Sequence, residues 1–268
     1  MRQSRTASIK HRITGIVAAL CLAVVPVVAT AAPAQAASTC ASGGNIAMGK
    51  YYVVNNLWGS GSGSGWQCVW DNWQSGDTIG WGTNWEWSGQ SNSVKSYSSV
   101  VLGWHWGWQR SGTELPVRLS ANRSVPTTWD YGVTGSGTMN VAYDLWLHNQ
   151  SNPGASTNPT DEIMIWPYKS GGAGPAGTRQ ATVSIGGGTW DLYRGWIDAG
   201  NGNGWNVFSF VRTSNTNSVN LNLRDFTGNL VNRGWISNSK YLSSVQAGTE
   251  VFTGNGQLNT NSYWVDVQ

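Results

Sequence analysis

Three short stretches of the chain carry one acidic residue each in a run whose neighbours alternate. In a β-strand, residues two apart share a face. From Met139 to Leu147, the residues Met139, Val141, Tyr143, Leu145 and Leu147 form one apolar face, leaving Asn140, Asp144 and Trp146 on the other. In Glu162 to Trp166, Ile163 and Ile165 face one way and Glu162, Met164 and Trp166 the other. From Ser244 to Phe252, Val245, Ala247, Thr249 and Val251 oppose Gln246, Glu250 and Phe252. Each run therefore predicts a strand that buries one side and presents a single carboxyl beside aromatic, Met or amide side chains. A sheet face that is merely solvated carries Lys, Thr and Ser more often than this mixture.

Two carboxyl groups on such strands are the equipment for cleaving a glycosidic bond with retention of configuration, where they stand about 5–5.5 Å apart across the anomeric carbon. One attacks as carboxylate while the other, still protonated, donates to the leaving oxygen. The charge on the first keeps the second protonated, and that repulsion disappears once the first is esterified. Glu162 and Glu250 are the candidate pair, with Asp144 beside them.

Other groups are less suited. Glu86, flanked by Trp85 and Trp87, is a weaker catalytic candidate, and Glu114 precedes Leu115-Pro116 at a turn and reads as a surface group. His105 and His148 sit in separate segments, and no GxSxG elbow accompanies them, which argues against a Ser/His/Asp hydrolase or a histidine metal site. His105 is expected to hydrogen-bond within an aromatic patch. No cofactor or metal is expected.

The surroundings indicate an all-β chain. Gly, Ser, Thr and Asn punctuate short alternating runs throughout, the pattern of many antiparallel strands joined by turns. Gly186-Gly187-Gly188 is expected to close a hairpin, and Gly59–Gly65 (GSGSGSG) to form a flexible loop. Leu223, Phe226, Leu230 and Val231 fall at helical spacing before Gly234, predicting one helix on the outside of a sheet. All 18 Trp lie beyond residue 36, more than a core of this size needs, which points to exposed sugar-stacking faces. Trp58 is assigned to a cleft; Trp146 and Trp166 fit either core or cleft.

Residues 1–36 read as a secretory signal peptide: a basic head, an apolar run and an Ala34-Gln35-Ala36 exit. That leaves 37–268 as a single domain with twelve basic and thirteen acidic residues, so the +3 formal charge of the whole chain belongs to the leader. No basic stripe remains for nucleic acid, and no membrane association is expected after cleavage. Cys21 leaves with the leader; Cys40 and Cys68 form an even pair expected to be disulfide-bonded, tying the N-terminus to the second or third strand.

These runs also resemble glycoside hydrolase family twelve over nearly the whole of 37–268. Asn55-Asn56-Leu57-Trp58-Gly59 is similar to the family's NNxWG segment, Trp85-Glu86-Trp87-Ser88-Gly89 to WxWSG, and Val94-Lys95-Ser96-Tyr97 to VKSY. Val141–Leu145 resembles VAYDL, Glu162–Trp166 the ExMIW nucleophile strand, Gly174–Gly177 the cord loop, and Gln246–Gly254 the QxGTExFTG strand. Departures are Val251 where many members have Pro, Pro167 after Trp166, and Ser98 after VKSY. The two cysteines lie where the family places its bridge. The resemblance implies a β-jelly roll of two curved antiparallel sheets with a concave cleft, and a secreted, monomeric endo-β-1,4-glucanase. Glu162 would be nucleophile, Glu250 acid/base and Asp144 their support. Asn56 and Trp58 would hold sugar on the non-reducing side, with Met164 lining the cleft. A non-catalytic carbohydrate-binding sandwich has no need of two such acids. A xylanase of the sister family would carry a different nucleophile strand.

Overall fold

The computed structural model describes residues 36–268, so the leader assigned to 1–36 lies outside the described residues up to position 35. Along the chain run β1 (Ser38–Thr39), β2 (Asn45–Met48), β3 (Tyr51–Val54), β4 (Gly63–Ser75), β5 (Thr78–Gly89), β6 (Ser96–Gly103) and β7 (Val117–Arg118). They are followed by β8 (Pro126–His148), β9 (Asp161–Ser170), β10 (Thr178–Ile185), β11 (Gly188–Gly200), β12 (Asn203–Arg212), β13 (Ser218–Asn222), the helix α1 (Leu223–Asn232) and β14 (Tyr241–Val265).

Two strands are far longer than the rest and belong to both layers of the fold. The first half of β14 pairs with β6 and its second half with β5, while β8 pairs with β14 along most of its length. The cleft layer runs β2-β3-β6-β14-β8-β9-β12-β11-β10 and the opposite layer β1-β4-β5-β14-β8-β13. Side chains from both layers, among them Trp81, Trp129, Tyr143, Val245, Phe208 and Tyr263, form one buried core. This is the expected jelly roll, with one departure: β12 pairs with β9 in parallel.

The two long strands change layer together at a glycine-built corner. Gly137 faces Gly254 across the pair, at φ 117° and 102°. A Cβ on Gly254 would stand 2.1 Å from the Ser136 carbonyl oxygen, and one on Gly137 the same distance from that of Thr253. Only glycine accommodates both the backbone angle and that approach. Pro167 is accommodated by a second irregularity. The β8–β9 register shifts between Val141 and Tyr143, opposite Trp166-Pro167, so the ladder skips the position that has no N–H to donate.

Smaller expectations hold in most cases. The Ile185–Gly188 hairpin turns through Gly186 and Gly187, both at positive φ (56° and 72°), the two-residue turn that suits strand twist. The helix is capped by the Asn222 side chain, which accepts from Arg224 N–H at 3.2 Å. It ends in a Schellman pair, Trp235 N–H to Leu230 and Gly234 N–H to Val231. Its stripe of Leu223, Phe226 and Leu230 is buried in the core, and Phe226 meets Trp190 of β11 and Phe210 of β12 edge-on.

Two expectations are corrected. The GSGSGSG stretch is largely ordered secondary structure: Ser60–Ser62 is one turn of 3₁₀ helix, and Gly63, Ser64 and Gly65 pair with Gly89, Ser88 and Trp87. Small side chains there allow the strand to lie against its neighbour, where a Cβ on Gly63 would meet the Ser88 oxygen at 2.0 Å. Cys40 bonds Cys68, as expected, but Cys68 lies in β4, the fourth strand, because three short strands precede it. Closing a loop of 28 residues' separation restricts the unfolded chain by about 3.5 kcal/mol on the loop-entropy account.

Candidate active site

The strand β8 lies between β14 and β9 and sets the spacing of the acids. Asp144 on β8 stands opposite Gln246 on β14 and Met164 on β9. Glu162 and Glu250 project to the same side, on the two flanking strands. Behind them the apolar residues expected to face inward, including Val141, Tyr143, Leu145, Ile163, Ile165, Val245 and Val251, are buried in the core. The period-two alternation that buries one set of side chains thus aims the three carboxyls into the cleft.

Glu162 is held from two directions. Trp146 is its cross-strand neighbour on β8, and the parallel pairing places Val207 of β12 on its other side. Two residues before Val207, Trp205 donates its indole Nε1–H to Glu162 Oε2 at 2.6 Å. Asp144, on the neighbouring strand, interacts with Glu162 side chain to side chain, an interaction that raises Asp144 and lowers Glu162. Glu250 is held by Asn140, four residues before Asp144 on β8. The Asn140 amide donates Nδ2–H to Glu250 Oε2 at 2.5 Å, and its Oδ1 accepts from the Glu250 backbone N–H at 2.9 Å.

Burial dominates the electrostatics. It pushes Asp144 well above the ordinary carboxyl range, reinforced by the charges of Glu162 and Glu250. Burial also raises Glu162, to about 7, against the opposing pull of the Trp205 and Asp144 hydrogen bonds. Glu250 is pushed up to about 8 by desolvation and then by the Glu162 charge, with Asn140 opposing. Glu162 is therefore the acid whose ionised form has a donor in Trp205, and Glu250 the one pushed up by burial and then by the neighbouring Glu162 charge.

The start of β9 is anchored from beneath. Asp161, fully buried, accepts from Thr160 Oγ1 at 2.8 Å and from Asn206 Nδ2 at 3.1 Å, and forms an ion pair with Lys240. Those contacts tie the strand of Glu162 to the residue after Trp205 and to the residue that leads into β14.

The sequence profile of glycosyl hydrolase family 12 matches residues 49–268, which include all of these groups. The chain belongs to glycosyl hydrolase family 12. It is 45% identical over 222 residues to endoglucanase S of Pectobacterium parmentieri, covering 82% of each chain. It is 38% identical over 234 residues to xyloglucan-specific endo-beta-1,4-glucanase A of Aspergillus aculeatus, covering 85% of this chain and 90% of that one. Among solved structures, a native family 12 xyloglucanase from Bacillus licheniformis has a TM-score of 0.81 at 45% identity, covering 87% of this chain and all of that one.

The remaining candidates of this family 12 enzyme are distributed unevenly. Trp58 is 66% exposed, free to offer a ring face, and Asn56 is half-buried next to it. Asn55 is instead structural, buried and donating to the Gln67 carbonyl at 2.8 Å. Met164 is buried with Ala142, Trp166 and Phe252 in a small apolar cluster on the cleft side. Trp166, only 2% exposed, is covered there and offers no platform. Trp146 is buried too, edge-on to Trp205 with ring centroids 5.3 Å apart. Glu86 and Glu114 are exposed, the latter 3.6 Å from Arg123. His105 lies 3.1 Å from the Gln246 amide, between Trp104 and Trp106, and burial lowers it to about 4. His148 contacts Ser243 Oγ at 2.7 Å.

Trp205 was not legible as a site residue. It stands in β12 just after the Asn201-Gly202 turn, and its contact with Glu162 depends on the parallel pairing of β12 with β9. Asn140 was placed on the correct face, but its grip on Glu250 crosses strands and leaves no local signal.

Proposed function

We propose that the enzyme is a retaining endo-β-1,4-glucanase that cleaves internal bonds of cellulose and related β-glucans by double displacement. The observation that carries this reading is the division of labour between Glu162 and Glu250. The first accepts the Trp205 indole N–H on its carboxylate, with Asp144 beside it also favouring the ionised form, and the second is pushed up by burial and by the charge of the first.

In the first step the Glu162 carboxylate attacks the anomeric carbon while Glu250 passes its proton to the departing glycosidic oxygen. The bond to the leaving sugar breaks as the ester to Glu162 forms. Trp205 and Asp144 hold the Glu162 oxygens through this exchange, and Asn140 keeps Glu250 on the leaving-group side. Esterification removes the negative charge that held Glu250 protonated, so its affinity for a proton falls. It then takes a proton from water, which attacks the anomeric carbon and releases Glu162. Two inversions give net retention.

Asn56 and Trp58 would hold sugar on the non-reducing side, with Met164 lining the cleft floor. The names of the relatives extend the substrate class to xyloglucan, which has the same β-1,4-glucan backbone. A polymeric substrate and a Cys40–Cys68 disulfide accord with a secreted enzyme working outside the cell. The test is the anomeric configuration of the first product, followed by NMR during hydrolysis of a cello-oligosaccharide. A β-anomer that later mutarotates is expected; an initial α-anomer would sink the double-displacement reading.

A further inference from the structure

The loop between β6 and β7 builds a second recognition feature on the cleft side. His105 and Trp108 exchange backbone hydrogen bonds at 2.8 and 2.9 Å, closing a tight turn. Its two central residues, Trp106 and Gly107, have φ 49° and 89°. A bulky residue in the left-handed region is uncommon and costs free energy, so the turn is held by its surroundings. Trp106 packs toward Trp104, Trp146 and Trp205. Trp108 projects toward the edge of the sheet, its ring 6.3 Å from that of Tyr52 and half exposed.

Between that turn and strands β2 and β3 is an open pocket of about 340 Å³, lined by Asn45, Tyr52, Trp108 and Arg110 among others. Its size is at the lower end for small-molecule sites (roughly 300–1,000 Å³). Tyr52 is 4% exposed and its hydroxyl is buried with no hydrogen-bond partner. A buried polar group left unpaired is costly and calls for an explanation. A ligand hydroxyl would supply the missing partner. Arg110 is fixed by its Nε–H bond to the Gly49 carbonyl at 2.8 Å, with its other donors free of that contact. An aromatic face, an amide, a guanidinium and an unpaired phenol together match one face of a neutral pyranose ring and its hydroxyls. Apolar ring faces stack on Trp while the polar groups set orientation.

The pocket's place on the sheet identifies where that sugar comes from. Tyr52 pairs with Val101, Val101 with Gln246, and Gln246 with Asp144, so the pocket lies on the same face as the acids. Glu250 instead pairs with Tyr97, whose N–H bonds Asn56. Tyr52 is four residues before Asn56 in the sequence, about 13 Å along an extended strand. A glucan passing Asn56 and Glu250 would run beside the pocket rather than through it. We infer that the Tyr52–Trp108 pocket binds a sugar branch of the glucan held in the cleft, making this pair determinants of preference for branched over bare β-1,4-glucan. This rests on the glucanase reading above.

The test uses the enzyme inactivated by Glu162→Gln and compares calorimetric binding of cellotetraose with that of a four-glucose oligosaccharide bearing xylosyl branches. Tyr52→Phe keeps the ring and removes only the unpaired hydroxyl; Trp108→Ala removes an exposed ring. Affinity for the branched ligand is expected to fall about threefold to tenfold in Tyr52→Phe and at least about tenfold in Trp108→Ala. Cellotetraose should bind all three proteins within about twofold. Unchanged branched binding in both variants, or equal losses for both ligands, would overturn the inference. So would a branched ligand that still binds after cellotetraose has filled the cleft, which would mark the pocket as a site for a separate chain. Selective branched binding by a wild-type protein that hydrolyses no glucan would remove the glucanase reading and leave the pocket standing.

Discussion

Replacing Trp205 with Phe removes one hydrogen bond and little else. The ring edge that meets Trp146 at 5.3 Å and Trp106 at 6.2 Å is retained in large part. The lost contact is a 2.6 Å bond to the Glu162 carboxylate in a buried setting. Hydrogen bonds to charged groups are worth about 1.5–3 kcal/mol. At about 1.4 kcal/mol per pH unit of affinity, the proton on Glu162 should be held tighter by about one to two pH units. On the proposed mechanism catalysis needs Glu162 ionised, and the acid limb of a kcat/KM profile would report that group in the free enzyme. The limb should therefore move upward by about one to two pH units in Trp205→Phe, up to or past the basic limb set by Glu250, so the maximum itself falls. The profile narrows, and the loss is steepest below the limb, where wild type and variant differ by about tenfold or more. Initial rates on a soluble β-glucan between pH 4 and 9 provide the measurement. A uniform drop with the acid limb unmoved would refute the reasoning, since Trp205 would then act through shape alone.

Asn140→Ala removes the donor that opposes the rise of Glu250, so the basic limb should move to higher pH while kcat falls; an unmoved basic limb would contradict this. The folded-state affinity of Glu162 for its proton is raised, so between about pH 4.5 and 7 the native protein binds more protons than the unfolded one and loses stability as pH rises. Glu162→Gln, which has no charge to bury, should be no more stable than wild type at pH 4 but more stable by up to about 3 kcal/mol at pH 8. A difference in unfolding free energy that is the same at both pH values would count against it. Gly254→Ala places a Cβ against the Ser136 oxygen at a φ of 102°, and should lower Tm by about 5–10 °C through a loss of roughly 2–3 kcal/mol. A Tm within 1 °C of wild type would mean the corner is not constrained as described.

The parts of the site readable from sequence are those fixed by strand alternation. Glu162 shares a face with Met164 and Trp166 because Ile163 and Ile165 must be buried, and the same holds for Asp144 and Glu250. The helix was readable because Leu223, Phe226 and Leu230 repeat at its period, and the Gly186-Gly187 turn because few residues tolerate those backbone angles. What escaped depends on neighbours distant in the chain. The parallel placement of β12 beside β9 brings Trp205 to Glu162, and no local pattern encodes it. Gly63–Gly65 looked like a flexible loop because its residues are small. They are small because the strand lies close against Ser88 and Trp87. Trp166 fitted either core or cleft in sequence; the covering by Phe252 and Val211 that settles it comes from two other strands.

The central claim is that Glu162 is the nucleophile, and its most direct test is chemical rescue. Glu162→Ala should lose nearly all activity on an activated β-glucoside, and added azide should restore part of it while forming an α-glycosyl azide. The small anion would enter the space left by the carboxylate and attack from the same side, with Glu250 still available as acid. Full activity in Glu162→Ala, or rescue that yields a β-glycosyl azide, would contradict the assignment.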